Sequence, residues 1–405
     1  MGRFTHVHRP RSFERDSVKT PTMLSPANKM LLTSAAAAVC TSLLVRSWRR
    51  RRARSALHAL CARLPKVELH CHLHGCARLA TIAELAPAGV DTSALRVDSG
   101  DDRSLDACFA IFAAIHKTVT SLAAVERVAW EVLTDFAADN VKYLELRTTP
   151  RVLKDADLEG YVRMLLGVFV RFDEYQQRQR MPWPMTVRLL LSIDRTGTLE
   201  KAMETVALAQ RLRAEASCEA SKYIVGVDFS GNPTRGTFAS FVPAFQAARD
   251  AGLKIAVHTG EVDHHSDNAS ILQFRPERLG HALLLSASDV ASLRSSPIPI
   301  ELCPTSNKMT LRLRSMRDHP TMASWLDEGY PVSISTDDST VFNTNSSKEL
   351  ALVAEAHDLT AEQVVKLALA PLEHAFEPSS KQLSDMRQKF QRKSAELLAE
   401  FRASY

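Results

Sequence analysis

The sequence lacks the cysteine spacing of disulfide-stabilised and cysteine-ligated zinc proteins. Its 405 residues include seven cysteines, an odd number, with no C-x-x-C pair and no framework spacing. Disulfide scaffolds and cysteine-based zinc sites both depend on such spacing. We therefore expect free thiols and a reducing compartment.

The sequence also lacks an apolar run long enough for a typical membrane-spanning helix. The run MLLTSAAAAVCTSLLV, residues 30–45, has 16 residues, whereas a spanning helix needs about 20. A full transmembrane helix is therefore marginal here. With 45% hydrophobic and 24% charged residues, the composition is typical of a globular protein and disfavours fibrous, disordered and multi-span membrane classes.

Beyond its N-terminal segment the chain has no excess of positive charge. Residues 1–65 contain 13 Lys and Arg against two acids, Glu14 and Asp16, whereas residues 66–405 contain 38 against 44. Nucleic-acid binding usually requires a basic patch or stripe on the folded domain. We therefore expect no nucleic-acid polymer as a partner.

Residues 1–63 are interpreted as an arginine-rich, poorly ordered extension that carries the apolar segment 30–45. A secretory signal is disfavoured, because a long polar stretch precedes the apolar run and arginines follow it, where small residues should mark a cleavage site. A mitochondrial transit peptide, a membrane tether and an extension without an address remain open. We expect a cytoplasmic protein whose only membrane contact, if it makes one, is through this extension.

From residue 64 onward, short apolar runs alternate with amphipathic stretches, a pattern typical of βα units around a parallel sheet. Eight runs is the number that closes a barrel, and segments such as Leu122–Ala138, Leu199–Ser217 and Phe238–Ala251 are long enough for helical crossovers. We therefore predict an α/β domain over residues 64–405, a (β/α)8 TIM barrel. The eight runs are 66–75, 141–150, 186–194, 223–231, 253–261, 278–285, 298–307 and 330–339.

Potential metal ligands lie near the ends of these runs, which meet on one face of such a barrel. His70 and His72 point to the same side of a strand and can bind one ion, although such a pair is more often structural. His258 in the fifth run, and Asp337 with Asp338 in the eighth, supply further donors. Three imidazoles and a carboxylate with one open position suit a catalytic Zn²⁺, with Fe²⁺ or Mn²⁺ as alternatives.

Two further polar residues end the fifth and sixth runs. Glu261, three residues after His258, is placed to move one proton between water at the metal and a substrate nitrogen. His281 in RLGHA can hold a hydroxide by a hydrogen bond and stabilise the developing charge. The alternatives are an exposed loop glutamate and a core histidine.

Six blocks, PKVELHCHLHG, GVDFSGNP, HTGE, RLGHA, ELCPTSN and STDDSTVFNT, occur in this order at barrel spacing. In these blocks the chain resembles the adenosine/AMP deaminase family of metal-dependent (β/α)8 hydrolases over residues 64–405. With VKYLELRTTPR followed by SID-R, it is most similar to the adenosine deaminase-like, N6-methyl-AMP deaminase branch. The H-x-E and P-C-x-x-C motifs of the other zinc deaminases are absent, so the resemblance implies an unrelated, barrel-based route to deamination.

The resemblance implies a zinc centre and three groups that act on the substrate. Glu261 is then the proton donor to purine N1, His281 orients the attacking hydroxide, and Asp338 binds the base. One Zn²⁺ per chain is implied, with the ligands His70, His72, His258 and Asp337.

The resemblance also implies a nucleotide pocket. Gly231 is placed where the backbone approaches the purine, which suits a residue without Cβ. The other pocket residues implied are His72, His74, His116, Thr148, Thr149, Pro150, Arg151, Asp194 and Asp338.

His74 departs from the pattern of adenosine deaminases, which have at this place an aspartate that accepts from the ribose hydroxyl. An aspartate repels a 5′-phosphate, whereas a histidine can donate to one or pair with it when protonated. The N6-methyl-AMP branch usually has asparagine here, so His74 matches neither pattern.

We expect a monomeric zinc-dependent deaminase that removes the 6-amino or N6-alkylamino group of purine nucleotides and converts N6-methyl-AMP to IMP and methylamine. Its partner is then a small molecule, a purine nucleotide or nucleoside. The alternatives are an adenosine deaminase, which makes inosine and ammonia, and a purine-binding barrel without catalysis.

Overall fold

The computed structural model describes residues 47–48, 51–87, 92, 95, 104–215 and 219–404. The chain divides into two compact units, Met1–Ala53 and Arg54–Tyr405. The apolar segment 30–45 discussed above lies outside the described residues. None of the described helices combines the length and the apolar character needed to cross a membrane.

The unit Arg54–Tyr405 contains one sheet of eight strands, each paired in parallel with the next in chain order. At the seam, the Asp337 N–H donates to His70 O, and the His72 N–H donates to Asp337 O, each at 2.9 Å. These bonds join the first strand to the segment after the eighth, and the predicted (β/α)8 TIM barrel is confirmed. The strands are β1 (Lys66–His72), β2 (Val141–Thr148), β3 (Thr186–Asp194), β4 (Ile224–Ser230), β5 (Lys254–Thr259), β6 (Arg278–His281), β7 (Ile300–Leu302) and β8 (Val332–Ile334).

Helices connect the strands and pack their apolar faces on the outside of the sheet. In the helix Leu158–Arg178, the buried side chains Tyr161, Leu165 and Phe169 recur every four residues and therefore share one face. Asp157 caps its N-terminus by accepting from Gly160 N–H at 2.7 Å. The α-helices described are α1 (Leu79–Leu85), α2 (Leu105–Thr118), α3 (Leu122–Ala138), α4 (Leu158–Arg178), α5 (Leu199–Ala214), α6 (Val242–Asp250), α7 (His265–Phe274), α8 (Ala287–Ser295), α9 (Pro304–Thr310), α10 (Met322–Asp327), α11 (Ser346–Ala356), α12 (Ala361–Leu369) and α13 (Ser380–Ser404).

Strands β6 and β7 end well before their apolar runs do, for different reasons. Strand β6 ends at His281 because His281 and Ala282 have left-handed backbones, with φ of 61° and 51°. Strand β7 ends at Leu302, and Pro304 then begins α9, a position that suits proline. Asn307 therefore lies on a helix and not at the end of a strand.

Residues 370–377 cover the barrel near the N-terminal ends of the strands. The Phe376 side chain packs with Leu190, Val225 and other residues inside the sheet. The Arg278 guanidinium lies 3.4 Å from the centroid of the Phe376 ring and donates to His374 O at 2.7 Å. Because residues 370–377 cover the N-terminal end of the barrel, the C-terminal ends of the strands are the end at which a site can form.

A helical stretch over residues 54–63 precedes β1. Its Leu60 and Cys61 side chains are 4% and 0% exposed and belong to the main core. The compact unit thus begins at Arg54, before the Leu64 boundary predicted from the sequence. The division into an extension and a barrel domain stays a prediction.

Candidate active site

Most of the predicted site residues surround one cavity of about 330 Å³ at the C-terminal ends of the strands. Pro150 and Arg151 line an adjoining cavity of about 770 Å³, and Thr149 and Asp194 border both. His70 is fully buried and does not line the cavity. The predicted residues around the first cavity are His72, His74, His116, Thr148, Thr149, Asp194, Gly231, His258, Glu261, His281, Asp337 and Asp338.

The four predicted metal ligands converge on one point. His72 Nε2 and His258 Nε2 face each other at 3.2 Å, and Asp337 Oδ1 lies 3.4 Å from His70 Nε2 and 3.5 Å from His72 Nε2. His70 Nε2 is buried without a hydrogen-bond partner. Buried polar atoms in such an arrangement need a shared partner. A divalent metal ion with imidazole and carboxylate ligands is such a partner, so the residues present fit a metal centre.

Carboxylates lie behind two of the imidazoles, and one of the two is hydrogen-bonded to its imidazole. Glu301 Oε2 lies 2.7 Å from His70 Nδ1, and Asp228 Oδ1 lies 3.2 Å from His258 Nδ1. A carboxylate that accepts from Nδ1–H leaves the Nε2 lone pair free for a metal. Burial lowers the pKa of His72 to about 3, so this imidazole is neutral, as a ligand must be.

A buried charge network supports these carboxylates. Arg147 donates to Asp228 Oδ1 at 2.8 Å and also to Glu301, and Arg278 Nε donates to Glu301 Oε1 at 2.6 Å. Arg278 also donates to Glu145, and all five side chains are at most 1% exposed. Burial by itself raises the pKa of Glu301, but Arg147 and Arg278 hold it well below its ordinary value. Glu301 is therefore ionised and able to accept from an imidazole.

Two of the site residues have strained backbones. Asp337 and His281 have φ of 60° and 61°, in the left-handed region that disfavours residues with a Cβ. Ser306 Oγ donates to Asp337 Oδ2 at 2.7 Å. Burial by itself raises the pKa of Asp337, yet the neighbouring imidazoles, His70 first among them, hold it well below its ordinary value. Asp337 is thus ionised, and the direction of its carboxylate is fixed both by its backbone conformation and by the hydrogen bond from Ser306.

Glu261 lines the cavity with one carboxyl oxygen that has no partner in the described part of the chain. Its side chain is 15% exposed, its Oε1 lies 3.9 Å from His281 Nε2, and its Oε2 is buried without a hydrogen-bond partner. Burial raises the pKa of Glu261 above its ordinary value. A carboxyl group that keeps its proton at higher pH, with one oxygen unused, can protonate a bound nitrogen base.

Two glycines make room on the cavity walls. A Cβ at Gly75 would lie 1.7 Å from Asp338 Oδ1, and a Cβ at Gly231 would lie 2.4 Å from Asp194 Oδ1. Gly231 also has φ of 103°, a conformation that favours glycine. Asp338 Oδ1 is buried without a hydrogen-bond partner, and burial raises the pKa of Asp338 well above its ordinary value. A flat heteroaromatic ring can therefore reach the Asp338 carboxyl group.

His74, His116 and Arg151 form a cluster of basic side chains, the His74 cluster. Arg151 Nη2 donates to His74 Nε2 at 3.0 Å, and the His116 ring meets the His74 ring edge-on with centroids 5.0 Å apart. Burial, and then the Arg151 charge, hold the pKa of His74 well below its ordinary value. Within the part of the chain that the structure describes, no carboxylate pairs with Arg151. The cluster has unused capacity for an anion.

Helix α2 supplies an apolar wall to the same cavity. Leu105, Phe109 and Phe112 line it from this helix, and Phe342 lines it after β8. Thr148 is less available than its position in the sequence suggests, because its Oγ1 is hydrogen-bonded to Tyr161 OH at 2.5 Å. The cavity therefore has a polar side at the predicted ligands and an apolar side at α2.

Sequence reasoning assigned no role to several residues that shape the site. Asp228 and Glu301 stand inside apolar runs, GVDFSGN and PIELCP, and a charge within such a run is itself a signal of a buried partner. Asn307, which contacts His281 Nδ1 at 3.0 Å, is the polar residue that ends its apolar run, whereas Gly75 carried no comparable signal.

Comparisons with known proteins agree with this geometry. The adenosine deaminase family model matches residues 65–390. An N6-mAMP deaminase from Arabidopsis thaliana is 37% identical over 336 residues, or 77% of this chain and 92% of that protein. An N6-methyl-AMP deaminase from Mus musculus is 36% identical over 324 residues, or 77% of this chain and 88% of that protein. The crystal structure of Arabidopsis ADAL complexed with IMP is 34% identical, with a TM-score of 0.73, over 83% of this chain and 98% of that chain.

The matched region contains all eight strands and every predicted site residue. The relatives are themselves matched over most of their length. The sequence matches, the barrel fold and the cluster of imidazoles and carboxylates therefore all indicate the same family. The chain belongs to the adenosine deaminase family and is a hydrolytic deaminase that acts on a purine C–N bond.

Proposed function

We propose that this chain is a zinc-dependent deaminase of N6-substituted purine nucleotides, which converts N6-methyl-AMP and water to IMP and methylamine. The observation that carries the proposal is the His74 cluster, in which Arg151 donates to His74 and has no carboxylate partner among the described residues. Relatives named for N6-methyl-AMP, and a related ADAL that binds IMP, support the same substrate.

The proposed metal is zinc, one ion per chain. Imidazole nitrogens and a carboxylate oxygen are the ligands that zinc takes in catalytic sites, and the donors are His70, His72, His258 and Asp337. When bound, zinc acts as a Lewis acid and makes water a nucleophile at neutral pH.

Glu261 supplies the proton that activates the purine. Its carboxyl group, kept protonated by burial, donates to purine N1. Protonation at N1 withdraws electrons from C6, which makes C6 more open to attack by water. As the C6–O bond forms, the attacking water gives one proton back to the Glu261 carboxylate. The C6–N bond then breaks as the second proton of that water passes to the amine, which leaves C6=O with the proton on N1.

The base is held by the groups opposite the metal ligands. The Asp338 carboxyl group, raised in pKa by burial, offers its unpartnered Oδ1 to a ring nitrogen. Gly231 allows the purine to lie against the backbone because it has no Cβ. Phe109 and Phe112 exclude water from the other side of the cavity.

The His74 cluster receives the 5′-phosphate. His74 Nε2 accepts from Arg151, so the single proton of the neutral imidazole is on Nδ1 and is available to a phosphate oxygen. Arg151 stands behind His74 and lines the adjoining cavity, so it acts on the phosphate with His74 and His116 and not by itself. A phosphate dianion also supplies the negative charge that Arg151 lacks among the described residues.

The deciding experiment compares kcat/KM for N6-methyl-AMP, AMP, N6-methyladenosine and adenosine with the zinc-loaded protein. We expect N6-methyl-AMP to be preferred over N6-methyladenosine by at least about 10-fold, the smallest effect of losing charge-assisted hydrogen bonds. A preference for adenosine over its monophosphate contradicts the proposal and favours an adenosine deaminase. An absence of turnover with all four identifies a purine-binding barrel.

A further inference from the structure

We propose that Asn307 is a positioning residue that keeps the single proton of His281 on Nε2. His281 is thereby a hydrogen-bond donor to the reacting oxygen and is excluded from the metal. The proposal rests on the proposed function, in which a water oxygen attacks C6 beside His281.

The positions of the imidazoles alone do not decide which of them bind the metal. His281 offers a ring nitrogen within 4.8 Å of donor atoms of His70, His258 and Asp337, so it is a geometric candidate for the same ion. A neutral imidazole can ligate only through a nitrogen that carries no proton. The tautomer of His281 therefore determines whether it is a ligand or a hydrogen-bond donor.

The orientation of the Asn307 amide is fixed by donors on its far side. Asn307 Oδ1 accepts from Cys303 N–H at 3.3 Å and lies 3.2 Å from His319 Nε2. His319 Nδ1 accepts from Met322 N–H at 3.1 Å, so the His319 proton is on Nε2 and points to Asn307. Two donors meet Oδ1, and the amide NH2 therefore faces His281.

This orientation assigns the His281 tautomer. Asn307 Nδ2 lies 3.0 Å from His281 Nδ1. Because an amide NH2 can only donate, Nδ1 is the acceptor and the one proton of neutral His281 is on Nε2. His281 Nε2 is also the atom that lies 3.9 Å from Glu261 Oε1, on the cavity side.

The contrast with the neighbouring imidazoles supports the same reading. Glu301 lies behind His70 Nδ1 and Asp228 behind His258 Nδ1, and a carboxylate can only accept. The hydrogen bond to Glu301 thus keeps the proton of His70 on Nδ1 and turns its Nε2 lone pair toward the predicted metal site, and Asp228 lies on the same side of His258. A carboxylate lies behind each of these two ligands, whereas an amide lies behind His281.

Asn307 performs this role without touching the substrate. It is 1% exposed, lies on α9 and does not line the cavity, and His319 behind it is 4% exposed. Its effect therefore passes through His281, which allows a test by the tautomer itself and not only by activity.

The first experiment measures the ¹⁵N resonances of the His281 ring in the zinc-loaded wild-type protein, assigned by their loss in His281→Asn. We expect Nδ1 to resonate as an unprotonated nitrogen and Nε2 as a protonated one. A protonated Nδ1, or a lone pair of Nε2 on the metal, overturns the proposal. The measurement needs no substrate. It therefore reports the His281 tautomer even if N6-methyl-AMP proves not to be the substrate.

The second experiment uses Asn307→Asp, which keeps the shape of the side chain but can only accept from His281. Protonating His281 would place a positive charge beside a divalent ion, which is unfavourable, so we expect His281 to stay neutral in this variant. Its single proton should then move to Nδ1, where it is donated to the new carboxylate, and the Nε2 lone pair should face the metal. We predict a fall in kcat of about 10²-fold, the effect of losing one such donor, with KM within about threefold and zinc retained. A reversed tautomer with unchanged kcat overturns the donor role.

One further variant separates this effect from loss of structure. Asn345→Asp makes the same chemical change at the N-cap of α11, where the side chain accepts from Lys348 N–H at 2.9 Å, and should change nothing. A fall in kcat for Asn307→Asp with the wild-type tautomer shows a merely structural role and overturns the proposal.

Discussion

Glu301 and His70 are fully buried and hydrogen-bonded, with Oε2 and Nδ1 2.7 Å apart. The carboxylate fixes the imidazole so that its Nε2 faces the other predicted ligands. Removing its charge should therefore weaken metal binding even though Glu301 does not touch the metal.

We predict that Glu301→Gln weakens zinc affinity by about 10- to 100-fold, the usual effect of such an outer partner. Competition with a chelator, followed by metal analysis, measures the affinity. His258→Ala, which removes a ligand, should lose both the metal and the activity. Glu328→Gln, at an exposed ion pair with Arg294, is the control and should bind zinc as the wild type does. Wild-type affinity in Glu301→Gln contradicts a role in orienting His70.

Glu261→Gln should keep the metal and lower kcat by about 10²- to 10⁴-fold, because an amide cannot transfer the proton that the buried carboxyl group carries. Burial raises the pKa of Glu261, and its acid form is the active one, so wild-type kcat should fall as pH rises through that raised pKa. Steady-state rates from pH 5 to 9, with zinc content measured at each pH, test both statements. Near-normal turnover in the variant rules out the proton-donor role.

Arg151→Ala should lower kcat/KM for N6-methyl-AMP by about 10- to 150-fold, because it removes the charged donor that holds His74 toward the phosphate, and losing a charge-assisted hydrogen bond costs about 1.5–3 kcal/mol. Any activity on N6-methyladenosine should stay nearly unchanged, because the nucleoside has no phosphate. The matched control is Arg211→Ala, which lines the same adjoining cavity but pairs with Glu159 at 2.7 Å. Equal losses on nucleotide and nucleoside reject phosphate recognition by the His74 cluster.

His319 should make the protein less stable in acid. Burial lowers the pKa of His319 to about 4, whereas the unfolded chain has an ordinary histidine pKa of about 6.5. Between these values the unfolded state binds the extra proton, so stability falls as pH falls from about 6.5 to 4, by about 3 kcal/mol in total.

Urea unfolding at pH 7.5, 6 and 5 measures this loss. His319→Gln has no group to titrate here and should lose less stability over the same range. His265→Gln, at an imidazole that is 65% exposed, is the control and should follow the wild type. Parallel curves for His319→Gln and the wild type exclude His319 as a source of the pH dependence.

Deleting residues 1–53 should leave zinc binding and activity intact, because every proposed site residue lies in the unit Arg54–Tyr405. Deleting residues 1–63 removes Leu60 and Cys61, which are buried in the core. Losing one large buried side chain costs about 2–5 kcal/mol. We therefore expect the shorter chain to melt at a clearly lower temperature, by about 5 °C or more. Equal melting temperatures place the domain boundary at Leu64 instead.

The barrel could be predicted from the sequence because its signals are local. Each apolar run marks a strand, and α3 begins and ends at the residues predicted, Leu122 and Ala138. The ends of β6 and β7 could not be read in this way. The first depends on left-handed backbones at His281 and Ala282, which no propensity favours, and the second on the helix that Pro304 begins.

The groups at the site were predictable where their chemistry is rare in apolar strands, as with His70 and His258. The placement of Arg151 could not be predicted. Its distance from the cavity is set by hydrogen bonds to Val119 O and His74, which are remote from it in the sequence. The role of Asn307 also depends on a distant partner, His281, and became visible only when both were placed.

The seam of the barrel has a consequence for how the protein matures. Asp337 pairs its backbone with His70 and His72 where the sheet closes, so the ends of the domain supply ligands to the same centre. On the ribosome the chain holds its first two histidines long before Asp337 is made. The complete set of donors comes into being only when ring closure, the pairing of greatest sequence separation in the sheet, has taken place. We therefore expect tight metal binding only after the barrel has closed, and a chain that ends before Asp337 should lack the complete set of donors.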